Sequence, residues 1–163
     1  MRLADTPEKV SRDVKLVLDA GKEAGLRLSI VARPSREEAV QAAYSLLTRV
    51  DQQSDADFVK KSDSASIADT YELARQDWLT PWLWAGAVRA LGAPSMAIVG
   101  NPEQVASAIM EYRDAGITHF ILSGWPKLEA MTYFGQETLP LIRAAERSKS
   151  RASVESGKAA VQR

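Results

Sequence analysis

An arginine set inside an apolar strand is the first residue of this sequence placed to do chemistry. Residues Leu26 to Ala32 form a short, partly β-branched run, and alternation puts Leu26, Leu28 and Ile30 on one face. Arg27, Ser29, Val31 and Arg33 fall on the other. A guanidinium buried there is costly unless it is paired or faces a polar pocket. It can hold a carboxylate, sulfonate, phosphate or oxyanion through two parallel hydrogen bonds, or pair with a carboxylate, or snorkel outward. The second place is Ser123-Gly124-Trp125-Pro126-Lys127-Leu128-Glu129, where a strand runs into a helix. Free N–H groups at a helix start attract anions, Lys127 adds charge, and Trp125 adds an apolar wall. The same pattern also describes a plain tight loop. Arg75 ends a polar excursion, where it is either a lid residue or a solvated helix arginine.

Regular elements must position these residues. Thr6-Pro7-Glu8 reads as a helix start, Val10, Val14, Val17 and Leu18 share helical spacing, and Gly21 or Gly25 can end the helix. Ser35 and Glu38 have capping-box spacing and open a helix reaching about Val50. Asp51 to Asp69 is poor in large apolar residues and reads as a mobile surface excursion, with helix returning near Ile67 to Arg75. Three of the four tryptophans follow at Trp78, Trp82 and Trp84, where packing is the expected role. Met96 to Val99 and Thr118 to Leu122 read as further strands, each bounded by a helix. His119, inside a strand, reads as structural. The last helix should bend near Pro140, and residues 147–163, lacking large apolar side chains, should be a disordered tail. Pro7-Glu8-Lys9-Val10 with Asp19-Ala20-Gly21 recurs without a gap as Pro102-Glu103-Gln104-Val105 with Asp114-Ala115-Gly116. A repeated helix-then-strand unit favours a parallel barrel over an open sheet.

Composition narrows the chemistry. Zero cysteines remove disulfides, thiolate metal sites and a cysteine nucleophile, and one histidine removes multi-histidine metal centres. Lysine plus arginine (21) balances aspartate plus glutamate (21), so no positive field draws the chain to nucleic acid or an anionic membrane. No secretory leader or membrane span is legible, and a cytoplasmic setting is the expectation. Glycine-rich phosphate loops, HExxH and G-x-S-x-G are absent.

Five segments occur in a recognisable order: Gly25 to Arg33, Glu37-Glu38-Ala39, Leu83-Trp84-Ala85-Gly86, Ile98 to Glu103, and Ser123 to Glu129. Together they resemble the flavin-dependent alkanesulfonate monooxygenases of the bacterial luciferase-like superfamily over about residues 4 to 146. The resemblance implies a TIM (βα)8 barrel, here its C-terminal strands 6 to 8 with their helices, a mobile insertion and a tail. It implies an oxidoreductase, a monooxygenase using reduced FMN and oxygen to cleave a carbon–sulfur bond to an aldehyde and sulfite. A separate flavin reductase would supply the reduced flavin. Carried over by position, Arg27 is the active-site strand arginine and Arg75 approximates the mobile-loop arginine. Ser29, Ser123, Trp125 and Lys127 fall among the substrate-contacting positions.

Three positions depart from that pattern. Ser29 stands where the alkanesulfonate enzymes have a histidine, Trp125 where they have a tyrosine, and Lys127 where histidine is usual. Two proton-transfer groups, at positions 29 and 125, are therefore missing, and the substrate can be another sulfonate, a sulfone or an apolar compound. The resemblance begins after the family's fifth strand, so the region carrying its active-site cysteine and most flavin-phosphate contacts has no counterpart. A deazaflavin (F420) barrel oxidoreductase fits the same residues. So does a noncatalytic module that pairs with itself as a homo-oligomer or with a chain supplying the N-terminal half. Exposed strand edges and exposed helix-facing surfaces are expected either way.

Overall fold

The computed structural model describes residues 1–48 and 65–161. Most of the expected mobile excursion over Asp51 to Asp69 thus lies outside the described residues. The elements are β1 (Arg2–Leu3), α1 (Pro7–Asp19), β2 (Ala24–Ala32), α2 (Arg36–Leu47), α3 (Ala65–Leu73) and β3 (Leu83–Trp84). They continue with α4 (Val88–Leu91), a 3-10 turn (Ala93–Ser95), β4 (Ala97–Gly100), α5 (Pro102–Asp114) and β5 (Ile117–Gly124). The chain closes with α6 (Lys127–Tyr133), a π-helical segment (Phe134–Thr138) and α7 (Leu139–Val161).

β2 is the central strand. β5 runs parallel to it along one edge, with Arg27 opposite Ile121 and Ser29 opposite Ser123. The other edge is shared end to end, β1 pairing in parallel at Leu26 and Arg27 and β4 from Ser29 to Ala32. β3 adds an antiparallel pair to β4. The Ala97–Gly100 strand therefore does not lie between β2 and β5. It continues the edge that β1 begins.

Leu26, Leu28 and Ile30 are buried beneath α1, α5 and α7 in the larger core, which also holds Val10, Val14, Val105, Ile109, Tyr112, Phe134 and Ile142. Burial of each large aliphatic side chain contributes about 1.5–3 kcal/mol. The helix-facing surface expected to be exposed is covered, because the chain supplies its own outer helices. Consecutive parallel strands β1, β2 and β5, with helices α1 and α5 on one face, make a curled half-barrel wall, the arrangement of a partial (βα)8 barrel. The outer edge of β5 carries no partner strand among the described residues, and Thr118, His119 and Ile121 are exposed along it.

The repeated sequence unit folds twice. α1 and α5 each span thirteen residues, begin with proline and end at an alanine cap, followed by Gly21 (φ 70°) and Gly116 (φ 98°). Asn101 accepts from Gln104 N (2.9 Å) while Gln104 Oε1 accepts from Asn101 N (3.1 Å), a full capping box. Thr6 occupies the equivalent place on α1 but makes no side-chain cap bond. Ser35 caps α2 by accepting from Glu38 N at 3.2 Å.

One expectation for the C-terminal region is corrected. A π-helical turn lies just before Pro140, where it accommodates a residue with no N–H to donate. The tail expected to be disordered is instead helical to Val161 as part of α7. Alanine, arginine, lysine and glutamate are strong helix formers, and Lys149 ties the helix back to Asp114 at 2.5 Å. His119 lies within β5 with its ring exposed, bonding Thr118 Oγ1 at 2.9 Å. The tryptophans pack as expected, with Trp84 fully buried and Trp82 edge-on to Tyr112 at 5.6 Å.

Candidate functional site

Parallel α/β sheets gather ligands at the carboxyl ends of their strands, where loops diverge and helix starts face inward. At that end of β2 and β5 lies a cavity of about 470 Å³, within the range of small-molecule sites. Its walls are Val31 and Arg33 of β2's end, Ala42, Ser45 and Leu46 of α2, Leu91, Trp125 and Pro126. Trp125 follows Gly124, the last residue of β5, where a side chain has no room: a Cβ there would stand 2.8 Å from Ile30 O and 2.7 Å from Ala130 Cβ. The Trp125–Pro126 peptide is cis.

Among the described residues the cavity is apolar with one cation. Arg33 Nη1 donates to Ala32 O at 2.7 Å, and its other guanidinium N–H groups make no ion pair among the described residues. Ser45 Oγ donates to Ala42 O at 2.8 Å and can still accept. Nearby, partial burial pushes the Tyr133 phenol above its ordinary range, with Glu137 and Glu38 adding to the shift and Arg33 opposing it. An apolar slot with an aromatic wall and a guanidinium holds a flat or elongated molecule by its body and an anionic group by charge-assisted hydrogen bonds.

The expected site residues separate into three places. Trp125 lines the cavity, and Lys127 lies exposed just beyond it at the start of α6. Ser29 and Ser123 meet across the β2–β5 pair with their hydroxyl oxygens 3.4 Å apart. Ser29 Oγ donates to Pro94 O at 3.2 Å, so the 3-10 turn closes over this pair from the inner face. Arg27 lies lower on the same face beside the 49% exposed Ile121, and solvent removes the cost of its charge. Arg75 is elsewhere: it pairs with Glu72 at 2.9 Å and lines a separate cavity with Asp5, Lys9, Asp69 and Leu79. The structure does not bring Arg75 and Arg27 into one cavity.

Arg33 is the residue that sequence reasoning passed over. Its signal was available, since it is the first charged residue past the carboxyl end of an apolar parallel strand. Leu46 and Leu91 carried no such signal, because only tertiary packing of α2 and α4 brings them there.

No family model matches the sequence. The geometry defines an α/β barrel wall with an apolar, singly cationic cavity at its carboxyl end, and solved structures carry the same fold. The chain is similar to riboflavin lyase (RcaE), whose structure holds modified FMN and the substrate riboflavin, at 19% identity and a TM-score of 0.59. It is also similar to DmoA from Hyphomicrobium sulfonivorans, at 18% identity and a TM-score of 0.58. These matches cover 89% and 88% of this chain but only 38% and 36% of those proteins. The likeness is one of fold. Among the described residues no helix is long and apolar enough to cross a membrane, and no cluster of metal-ligating side chains occurs.

Proposed function

We propose that this chain forms the C-terminal wall of a flavin-dependent monooxygenase barrel resembling the alkanesulfonate enzymes, completed by wall strands from further residues. The cavity between Arg33 and Trp125 carries this reading. Its donor set fits part of a flavin: Trp125 and Leu46 can flank the ring, and Arg33 can neutralise negative charge on a reduced ring or a phosphate. When bound, reduced flavin supplies the electrons that activate oxygen, delivered by a separate reductase. Arg27, on the inner face, would hold an anionic substrate group once the remaining wall excludes water from it. Ser29 and Ser123 would fix the substrate's orientation as hydrogen-bonding hydroxyls, and Lys127 would attract anions at the cavity mouth.

Titration of the chain with FMN, followed by flavin fluorescence, tests the cavity. Saturable quenching with a Kd weaker than about 1 μM is expected, because most of the cofactor surface remains outside this wall. Trp125→Ala and Arg33→Gln should abolish it. Absence of saturable quenching in the unaltered chain would overturn the assignment, and submicromolar binding would overturn the need for further wall strands.

The open edge of β5 favours a second reading, a noncatalytic module that uses this edge to pair with another chain. On that reading Arg33→Gln leaves assembly intact and FMN has no effect on it.

A further inference from the structure

The floor of the Arg33–Trp125 cavity is continuous with an aromatic cluster that the reading above leaves without a task. Val31, Trp84, Ala97 and Val99 form one buried group, and Trp125, Leu46, Leu91 and Trp78 pack against it. From the fully buried Trp84 ring, Tyr44 lies edge-on with centroids 5.8 Å apart, and Trp78 lies tilted at 6.5 Å. Tyr44 is on the outer side of α2 and 39% exposed. Buried ring, second ring and solvent are thus in series.

We propose that Trp84 and Tyr44 form a one-electron relay from the cavity to the surface, with Asp77 as the acceptor of the tyrosine proton. The distinguishing observation is how differently the polar atoms are partnered. Trp84 Nε1 is buried with no hydrogen-bond acceptor among the described residues. An indole that has lost an electron there cannot shed its proton, so it remains a strong oxidant and draws an electron from its neighbour. Tyr44 Oη, in contrast, donates to Asp77 Oδ2 at 3.3 Å and accepts from Trp78 Nε1 at 3.0 Å. Its oxidation can be completed by proton loss. Arg89 lies 3.4 Å from the other Asp77 oxygen and steadies the carboxylate in place. Arg36 sits over the Trp78 ring at 5.7 Å, and its positive charge opposes a hole on that ring. The hole therefore passes from Trp84 to Tyr44 directly, and the electron the other way.

The balance is simple. An oxidant in the cavity takes one electron from Trp84, and Trp84 recovers it from Tyr44. The Tyr44 O–H bond breaks and the proton passes to Asp77, leaving the oxidant reduced by one electron, a neutral tyrosyl radical and a protonated Asp77. A reductant of the ascorbate class restores Tyr44 from solution. The natural oxidant would be photoexcited oxidised flavin, and to that extent the proposal rests on the flavin reading. The relay itself does not need flavin.

The experiment supplies its own oxidant. Because the chain has no cysteine, Leu91→Cys directs a thiol-reactive ruthenium polypyridyl label to the cavity wall alone. After flash oxidation, transient absorption should show a tyrosyl radical. Tyr44→Phe should abolish that signal and leave a longer-lived tryptophan radical. Trp84→Phe should lose the tyrosyl signal while circular dichroism shows an intact fold, and Asp77→Asn should slow its appearance. Persistence of the tyrosyl signal in Tyr44→Phe or Trp84→Phe would overturn the proposal. So would a tryptophan radical that decays equally fast with and without Tyr44, a readout that stands even if Trp84→Phe fails to fold. Success with ruthenium but no FMN binding would remove flavin as the oxidant and leave the relay.

Discussion

α1 and α5 share length, opening proline and closing Asp-Ala-Gly, yet they are buried to different depths. α5 buries six residues, Val105, Ala106, Ala108, Ile109, Met110 and Tyr112, between the sheet, α1 and α7. α1 buries two, Val10 and Val14. Val17, the counterpart of Tyr112, is 40% exposed, and the adjacent Leu16 is 82% exposed. Tyr112 instead donates to Asp5 O at 2.6 Å, fastening α5 to the turn before α1. Desolvation raises the pKa of its phenol, with nearby Asp5 adding to the effect, so it remains a neutral donor. The difference teaches that local punctuation makes a helix while neighbours decide its worth. α5 stands inside a wall, and α1 stands at its margin with an apolar flank uncovered.

The contrast breaks most visibly at its counterpart positions. Tyr112→Ala should lower unfolding free energy by about 3–5 kcal/mol, while Val17→Ala changes it by no more than about 0.5 kcal/mol, measured by denaturant unfolding. Equal losses would mean that α1 is covered in solution. At the helix ends, Gly116→Ala should cost about 2 kcal/mol and Gly21→Ala about 1 kcal/mol. Both glycines have positive φ, but a Cβ on Gly116 also meets Leu18 Cδ1 at 2.4 Å, while Gly21 has open space. At the helix starts, Asn101→Ala should cost about 1 kcal/mol and Thr6→Ala a few tenths, because only Asn101 caps with its side chain. The smallest effect concerns charge. Hydrogen bonds from Lys9 and then Arg2 lower the Asp13 pKa below 3.8. Its contribution to stability is therefore present above that pH and lost as pH falls through the depressed value. Asp13→Asn should slightly flatten the acid limb of a stability profile, since the carboxylate is 39% exposed and screened.

The repeat, the three long strands and the Ser-Gly-Trp-Pro turn were legible in the residues because each rests on local rules: caps, breakers and alternation. Of the cavity, Trp125 was read from the residues and Arg33 could have been, since both lie where a strand ends. The walls from α2 and α4 could not, because their placement depends on packing against Val31 and Val99 and leaves no trace in spacing. Arg75 shows the converse, a residue whose position before the tryptophans looked functional but whose partner is its helical neighbour Glu72. Pairing of β4 on the edge already used by β1 was equally illegible, since alternation reveals a strand and not its neighbour.

That shared edge has an architectural consequence. Ala32 and Gly100 are register partners, and Arg33 N donates to Gly100 O at 3.3 Å. The chain leaves the wall at Arg33 and returns beside its point of departure at Gly100, immediately before the cap of α5. Arg33 to Gly100 is thus a graft set into one ordinary turn between a strand and its helix, and it brings α2, Leu91 and the aromatic cluster with it. Joining Ala32 directly to Asn101 would leave β1, α1, β2, α5 and β5 as a plain repeating scaffold. Exchanging the graft, and not the wall, is the economical way for such a frame to acquire a different pocket.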